Sequence, residues 1–334
     1  MTSFSLLELV RVRQGSDAGA ALNNARDVAR HAEALGYKRI WIAEHHNMAG
    51  IASAATSIVI AHIAAGTSTI RVGAGGIMLP NHAPYVIAEQ FGTLERLFPG
   101  RIDLGLGRAP GTDQIAVRAM RRAPNASEFF PQDVLELQAF LAEPVEGQAI
   151  VAVPAAGTNV PIWILGSSTF GAMLAAELGL PYAFASHFAP ELLLPALHAY
   201  RRGFKPSAQR DRPYAMAGIN VIAADTDAEA KRLATTQQMS VADIFSGKRG
   251  LSKPPIDDIE TYWSPDQRAQ ALNALARSVV GSPETVRAGL RAFVEETQVN
   301  EVMIVCDVFD HQQRLRSLEL IAGAMATPEP TAPS

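Results

Sequence analysis

Residues 70–108 read IRVGAGGIMLPNHAPYVIAEQFGTLERLFPGRIDLGLGR. Ile70–Leu79 is an apolar run loosened by Gly73, Gly75 and Gly76, and it reads as a strand. Pro84–Phe98 follows with apolar residues at helical spacing, and Pro84 sits in the first turn, where a missing N–H does no harm. Arg101–Gly107 is a second strand. Strand, crossover helix and strand in this order predict two parallel strands joined by a right-handed connection.

The same unit recurs in both directions. Upstream, Phe4–Val10 and Arg39–Ala43 read as strands. Asp17–Leu35 and Ser53–Ala65 read as helices, ended by Gly36 and Gly66. Downstream, Pro161–Gly166, Tyr182–Ser186, Ala215–Ala223 and Glu301–Val305 complete the strands. The helices there are Glu128–Leu141, Phe170–Leu178, Ala189–Arg202, one from about Thr226, Ser282–Thr297 and His311–Ala326. This alternation permits an open doubly wound sheet, but eight units without a clear reversal point favour a (β/α)8 TIM barrel. A single domain over residues 1–326 is therefore expected, although 334 residues would also suffice for two. Two segments break the rhythm. Residues 143–161, rich in Val, Ala, Gly and Pro, read as an excursion or small hairpin. Residues 240–273, with Gly247, Gly250, Pro254, Pro255 and Pro265, read as a mobile loop covering a site. Pro328, Pro330 and Pro333 predict a disordered tail over 327–334.

Composition narrows the function classes. Hydrophobic residues make up 48% and charged residues 19%, enough apolar material for a full core. Lys and Arg total 29 against 33 Asp and Glu, a net charge of −4 that argues against a nucleic-acid partner. No apolar run is long enough to cross a membrane, and Met1–Val10 lacks the features of a signal peptide, so a cytoplasmic protein is expected. Cys306 is the sole cysteine, which excludes an intramolecular disulfide.

Barrel enzymes place chemistry at the C-terminal ends of the strands, and that rule selects candidates. Gly166-Ser167-Ser168-Thr169 leads from a strand into a helix, offering free N–H groups, a positive dipole end and hydroxyl donors to a phosphate. The same residues also suit an ordinary helix cap. Arg108 ends the neighbouring strand and is a cation for an anionic group, or simply a surface arginine. Gly105-Leu106-Gly107-Arg108-Ala109-Pro110 is a poor dinucleotide fingerprint, with Pro110 in its sixth position. In Glu44-His45-His46 the adjacent histidines point to opposite faces, and no metal-ligand spacing supports them, so no metal is expected. One histidine as proton donor is better founded, with His82 and His187 as secondary candidates. Gly75-Gly76 suits close approach to a flat ligand or a local twist. Lys248 and Arg249 between two glycines could close over an anion, or simply be solvated.

Several of these stretches together resemble the bacterial-luciferase-like flavin-dependent monooxygenases. They are Trp41-Ile42-Ala43-Glu44-His45-His46-Asn47, Val72–Pro80, Pro99–Arg108, Ile164–Ser168 and Ile222–Thr226, in family order and spread over nearly the whole chain. The resemblance implies a TIM barrel that binds reduced FMN at its strand ends. It implies that Arg108 with Gly166, Ser167, Ser168 and Thr169 holds the phosphate. Ala74-Gly75-Gly76 would lie beside the isoalloxazine, in a segment that often contains a non-proline cis peptide. His45 would be the catalytic acid/base, and residues 240–273 a lid. A separate flavin reductase, O2, a small apolar substrate (aromatic or polyketide-like, in a biosynthetic pathway) and a homodimer complete the expectation. A deazaflavin-dependent dehydrogenase, a non-catalytic flavin-binding protein and a barrel enzyme without flavin are the rival readings. Two departures stand out. Family members usually carry Asp and then prolines where this chain has Glu8, Arg11 and Arg13, and the light-emitting ones have cysteine in place of Gly107. Luminescence and a long-chain aldehyde substrate are therefore not expected.

Overall fold

The computed structural model describes residues 2–326, and the tail expected at 327–334 lies outside the described residues. Nine strands occur: β1 (Ser3–Glu8), β2 (Arg39–Ile42), β3 (Arg71–Met78), β4 (Ile102–Gly107), β5 (Ile162–Gly166), β6 (Tyr182–Phe184), β7 (Ala215–Ala223), β8 (Val279–Gly281) and β9 (Glu301–Val305). The helices are α1 (Ala18–Ala34), α2 (Thr56–Ala64), α3 (Pro84–Leu97), α4 (Gln114–Ala119), α5 (Phe130–Leu141) and α6 (Thr169–Glu177). They continue with α7 (Leu193–Gly203), α8 (Asp227–Phe245), α9 (Pro265–Ala274), α10 (Pro283–Thr297) and α11 (His311–Ala326).

β1 to β7 pair in sequence order and all in parallel. β7 then pairs with β9, from Met216↔Glu301 to Asn220↔Val305, and β9 returns to β1 through Ser3↔Glu301 to Leu6↔Ile304. Eight strands thus close a parallel barrel ringed by helices, the expected TIM barrel. β8 stands apart from that ring and extends only the end of β7, at Val221, Ile222 and Ala223.

Strand alternation divides the buried residues between two compartments. On β2, Ile40 and Ile42 face outward into the main core with Val28, Ile60, Ile63 and Phe91. Trp41 and Ala43 face inward, beside Leu7, Trp163, Met216, Met303 and Val305. The floor of the barrel is a buried ion network. Arg39 donates from Nε to Glu301 at 2.7 Å and from Nη1 to Asp103 at 2.6 Å. Its guanidinium lies 4.8 Å from the Trp163 ring centroid, and Trp163 meets Trp41 edge-on. Paired charges and interlocked indoles fill the N-terminal half of the barrel interior, so among the described residues that interior opens at the opposite mouth.

Residues 240–273 are more ordered than a loop. α8 runs into this segment and α9 occupies its end. A capping box starts α9: Ser264 Oγ accepts the Gln267 N–H at 3.3 Å, and the Gln267 side chain accepts the Ser264 N–H at 2.8 Å. With Pro265 in the first turn this is a helix-start signal. The cluster of Pro, Gly and charge before it obscures that signal in the sequence. Residues 143–161 contain turns and no strand, so the hairpin alternative is not what forms. α4 is a further addition, capped by Asp113, whose carboxylate accepts the Ile115 and Ala116 N–H groups at 3.0 Å.

Candidate active site

A cavity of about 580 Å3 occupies the C-terminal mouth of the barrel. That lies within the roughly 300–1,000 Å3 of ordinary ligand sites. Its wall is mostly apolar, with Leu7, Trp41, Met216 and Met303 below and Val241, Ile244 and Phe245 of α8 across the top. Of the residues expected from sequence, His45, Gly75, Arg108, Gly166, Ser167 and Ser168 line it together. Ala74 does not; it is fully buried in the outer core. Gly76 packs on the β4 backbone, where an added Cβ would come within 2.7 Å of the Gly105 carbonyl oxygen. Thr169 begins α6 and is likewise not part of the wall.

The end of β5 and the start of α6 form the anion-binding corner. Ser168 occupies the N-cap position in extended conformation (φ −141°, ψ 169°), but its side chain makes no capping hydrogen bond. The first N–H groups of α6 therefore keep their donor capacity at the positive end of the helix. Tyr182 steadies this turn by donating to the Ser168 carbonyl at 3.1 Å. Gly107 pairs with Leu165, so Arg108 emerges next to Gly166 on the neighbouring strand. The Arg108 guanidinium lies 4.1 Å from the centroid of Phe170. A ring face under a cation holds it in place without consuming its hydrogen-bond donors.

Across the mouth, the Gly75–Gly76 peptide is cis, as the resemblance implied. The β3–β4 register shifts between Ala74 and Ile77, freeing this stretch from the ladder. A side chain on Gly75 would meet Leu7 Cδ1 at 2.7 Å and Trp41 Cβ at 2.9 Å, so only backbone fits at this point of the wall.

His45 follows β2, half-buried, with Nδ1 3.4 Å from the Gly111 carbonyl. Burial lowers its pKa from the usual imidazole value, and the charge of Arg11 adds to this; the Gly111 contact and Glu44 oppose it. Its neighbour Glu44 points the other way and is fully buried. Glu44 accepts from His46 Nε2 at 2.8 Å, His82 Nε2 at 2.9 Å, the Met78 N–H at 3.1 Å and Asn81 at 3.3 Å. Burial pushes this carboxyl up, but the hydrogen bonds from both histidines and from Met78 outweigh it and hold it at about 2. The ligand atoms of Glu44, His46 and His82 lie within 4.8 Å of one another, close enough for one ion. In the arrangement present, an ionised carboxylate only accepts, so each Nε2 facing it carries a proton.

The chain matches the model of the family described as luciferase-like monooxygenase over residues 2–301. The chain belongs to this family. A luciferase-like monooxygenase of Escherichia coli (strain K12) is 50% identical over 319 residues, covering 95% of each chain. The crystal structure of apo-MsnO8 superimposes with a TM-score of 0.86 at 33% identity, covering 98% of this chain and 100% of the other. A type II Baeyer-Villiger monooxygenase, the oxygenating constituent of 3,6-diketocamphane monooxygenase from the CAM plasmid of Pseudomonas putida, is in complex with FMN. It shares the fold with a TM-score of 0.72 at 18% identity, covering 99% of both chains.

Other wall residues carry weaker signals in the sequence. His187 packs on Gly218, where a Cβ would lie 2.4 Å from its Nδ1. Burial, then the proximity of His45, brings His187 down to about 4, and its Nδ1 has no hydrogen-bond partner among the described residues. Gln237 donates to Asn220 at 2.7 Å, and Asn220 donates to the His187 carbonyl at 2.6 Å. These residues come from β7, α8 and the turn after β6, a convergence that no local pattern announces.

Proposed function

We propose that this protein is the oxygenase of a two-component system. It takes reduced FMN from a separate flavin reductase and uses O2 to oxygenate a small, largely apolar organic molecule. The observation that carries this reading is the corner formed by Arg108 and the uncapped start of α6, beside a closed-bottomed apolar cavity. It offers one fixed cation and a row of unused N–H donors to a phosphate. Gly75 brings only backbone to the cavity wall beside Leu7 and Trp41, a surface against which a flat ring can lie.

Reduced FMN, when bound, supplies the electrons that activate O2. The protein's own residues do the rest. Arg108, Ser167 and the α6 N–H groups hold the phosphate, with Ser168 and Thr169 at the turn. Gly75 with its flanking Ala74 and Gly76 shapes the wall against the ring. His45, whose lowered pKa leaves it neutral at pH 7, accepts a proton at Nε2 or passes one on while Gly111 orients Nδ1. Val241, Ile244 and Phe245 shield the reacting centre from water. A cytoplasmic homodimer in the one-domain arrangement, with residues 240–273 acting as the lid, completes the reading.

Anaerobic titration with reduced FMN, followed by exposure to O2 and product analysis under 18O2, tests it. Binding with 18O in a product is the expected result. Hydride transfer from a reduced deazaflavin without O2 uptake would assign a dehydrogenase, and binding without turnover a flavin-binding protein.

A further inference from the structure

Two full positive charges line the cavity, Arg11 and Arg108, and among the described residues no Asp or Glu lines it. The proposed reading uses Arg108 for the cofactor phosphate and leaves Arg11 without a task. Arg11 follows β1 and is fixed by an antiparallel bridge to Ile51. Its Nε faces buried Asp307 at 3.1 Å, behind the cavity wall. The other nearby carboxylate, Glu8, is taken by Arg314 at 2.9 Å and by the Val10 N–H at 2.6 Å. An arginine has five N–H donors in a fork, and the Asp307 contact is an ion pair at Nε in which neither atom completes a hydrogen bond. Neither terminal nitrogen of Arg11 has a hydrogen-bond acceptor among the described residues. Arg11 also belongs to a narrow gap shared with Met48 and Ile244, which Lys248, Arg249 and Lys253 approach, Lys253 paired with Asp243 and Arg249 with Asp113. A partly buried guanidinium, ion-paired through Nε and facing an otherwise apolar cavity wall, selects an anionic partner.

We propose that Arg11 is a substrate anchor and that the natural substrate is an apolar organic acid whose carboxylate docks on its terminal nitrogens. This rests on the monooxygenase reading and supplies its substrate class. Beside Arg11, β1 and its end contribute Leu7 and Leu9, β9 contributes Met303 and Val305, and β2 and its end contribute Trp41 and Ala43, an apolar trough for the body of the acid. His45, in the segment after β2, the strand paired with β1, then stands beside the bound molecule. The fork geometry of arginine matches a carboxylate in two parallel hydrogen bonds, which a lysine cannot reproduce.

The test uses matched probes, 4-phenylbutanoate and 4-phenylbutanamide, titrated by calorimetry against the protein with saturating FMN and again in an Arg108→Gln background. Wild-type protein should bind the acid at least roughly tenfold more tightly than the amide. Arg11→Gln should bring that ratio to about one while leaving amide and FMN affinity unchanged, and Arg11→Lys should retain part of it. If Arg11→Gln fails to fold because Asp307 is left unpaired, Arg11→Gln/Asp307→Asn takes its place. Equal or absent binding of both probes to the wild type overturns the proposal, as does a ratio that survives Arg11→Gln. Loss of FMN binding in Arg11→Gln overturns it too. Should FMN fail to bind while the ratio still depends on Arg11, the anchor stands and the flavin reading falls.

Discussion

His82 Nε2 lies 2.9 Å from Glu44 Oε1, and the same oxygen takes His46 Nε2 at 2.8 Å. One buried carboxylate therefore ties the end of β2 to the turn after β3, on the far side of the backbone from His45. The two elements it joins carry the proposed proton-handling residue and the Gly75–Gly76 wall.

Glu44→Gln should cost stability in a way that depends on pH. Because folding lowers the Glu44 pKa to about 2, its contribution is present above the unfolded carboxyl value and is lost as pH falls through the folded one. At neutral pH that contribution is about 3 kcal/mol, since each tenfold change in proton affinity is worth about 1.4 kcal/mol. Urea unfolding of wild type and variant between pH 2.5 and 7 should show curves that diverge as pH rises and meet at the acid end.

His45 should set an acid limb in turnover. Its pKa is lowered in the folded protein, so the limb falls below the ordinary imidazole value of 6.5, and activity declines only as pH drops through it. His45→Asn should lose about 100-fold or more in oxygenation, as expected of a positioned acid/base. Its reduced-FMN affinity should be retained, and its residual rate should be flat across that pH range. A wild-type limb centred above 6.5 contradicts the assignment.

Ser168 and Ser264 hold the same cap position in two helices and should respond differently to alanine. Ser264 makes a capping box, so Ser264→Ala should lower stability by about 1 kcal/mol. The Ser168 side chain caps nothing, so Ser168→Ala should change stability by less than about 0.5 kcal/mol. It should instead weaken FMN binding while leaving riboflavin binding, which involves no phosphate, unchanged. Thermal melts and paired FMN and riboflavin titrations check both halves.

Gly218→Ala should disturb the cavity from behind. The new methyl would sit 2.4 Å from His187 Nδ1, so the ring must shift. A loss of about 1–3 kcal/mol is expected from overpacking, with weaker ligand binding. His187→Ala in the same chain should restore the stability, since it removes the clashing ring.

Local periodicity makes the barrel readable. Ile40, Trp41, Ile42 and Ala43 are all buried, as a strand covered on both faces must be, and helices punctuated by Gly36 and Gly66 follow in rhythm. The strand-end rule then leads to His45, Gly75, Arg108 and Gly166–Ser168 without knowledge of any contact. α9 is hidden because its capping box follows a stretch of Pro, Gly and charge. β8 is illegible because three residues beside the end of β7 carry no period.

What the chain determines by itself is every interaction written in nearest neighbours: strand alternation, helix caps and glycine stops, all of which depend on residues a few positions apart. Which way a shared residue acts is decided only in three dimensions. Ser168 is a helix cap or a phosphate donor according to where its hydroxyl points. Glu44-His45-His46 resolves into a buried anchor and a cavity residue only when His82 arrives from the turn after β3. Arg11 is a surface cation or a ligand anchor according to whether Asp307, nearly three hundred residues away, sits behind it. Charge and hydrogen-bond energies depend on burial and on partners brought by other strands, and closure of the barrel supplies both.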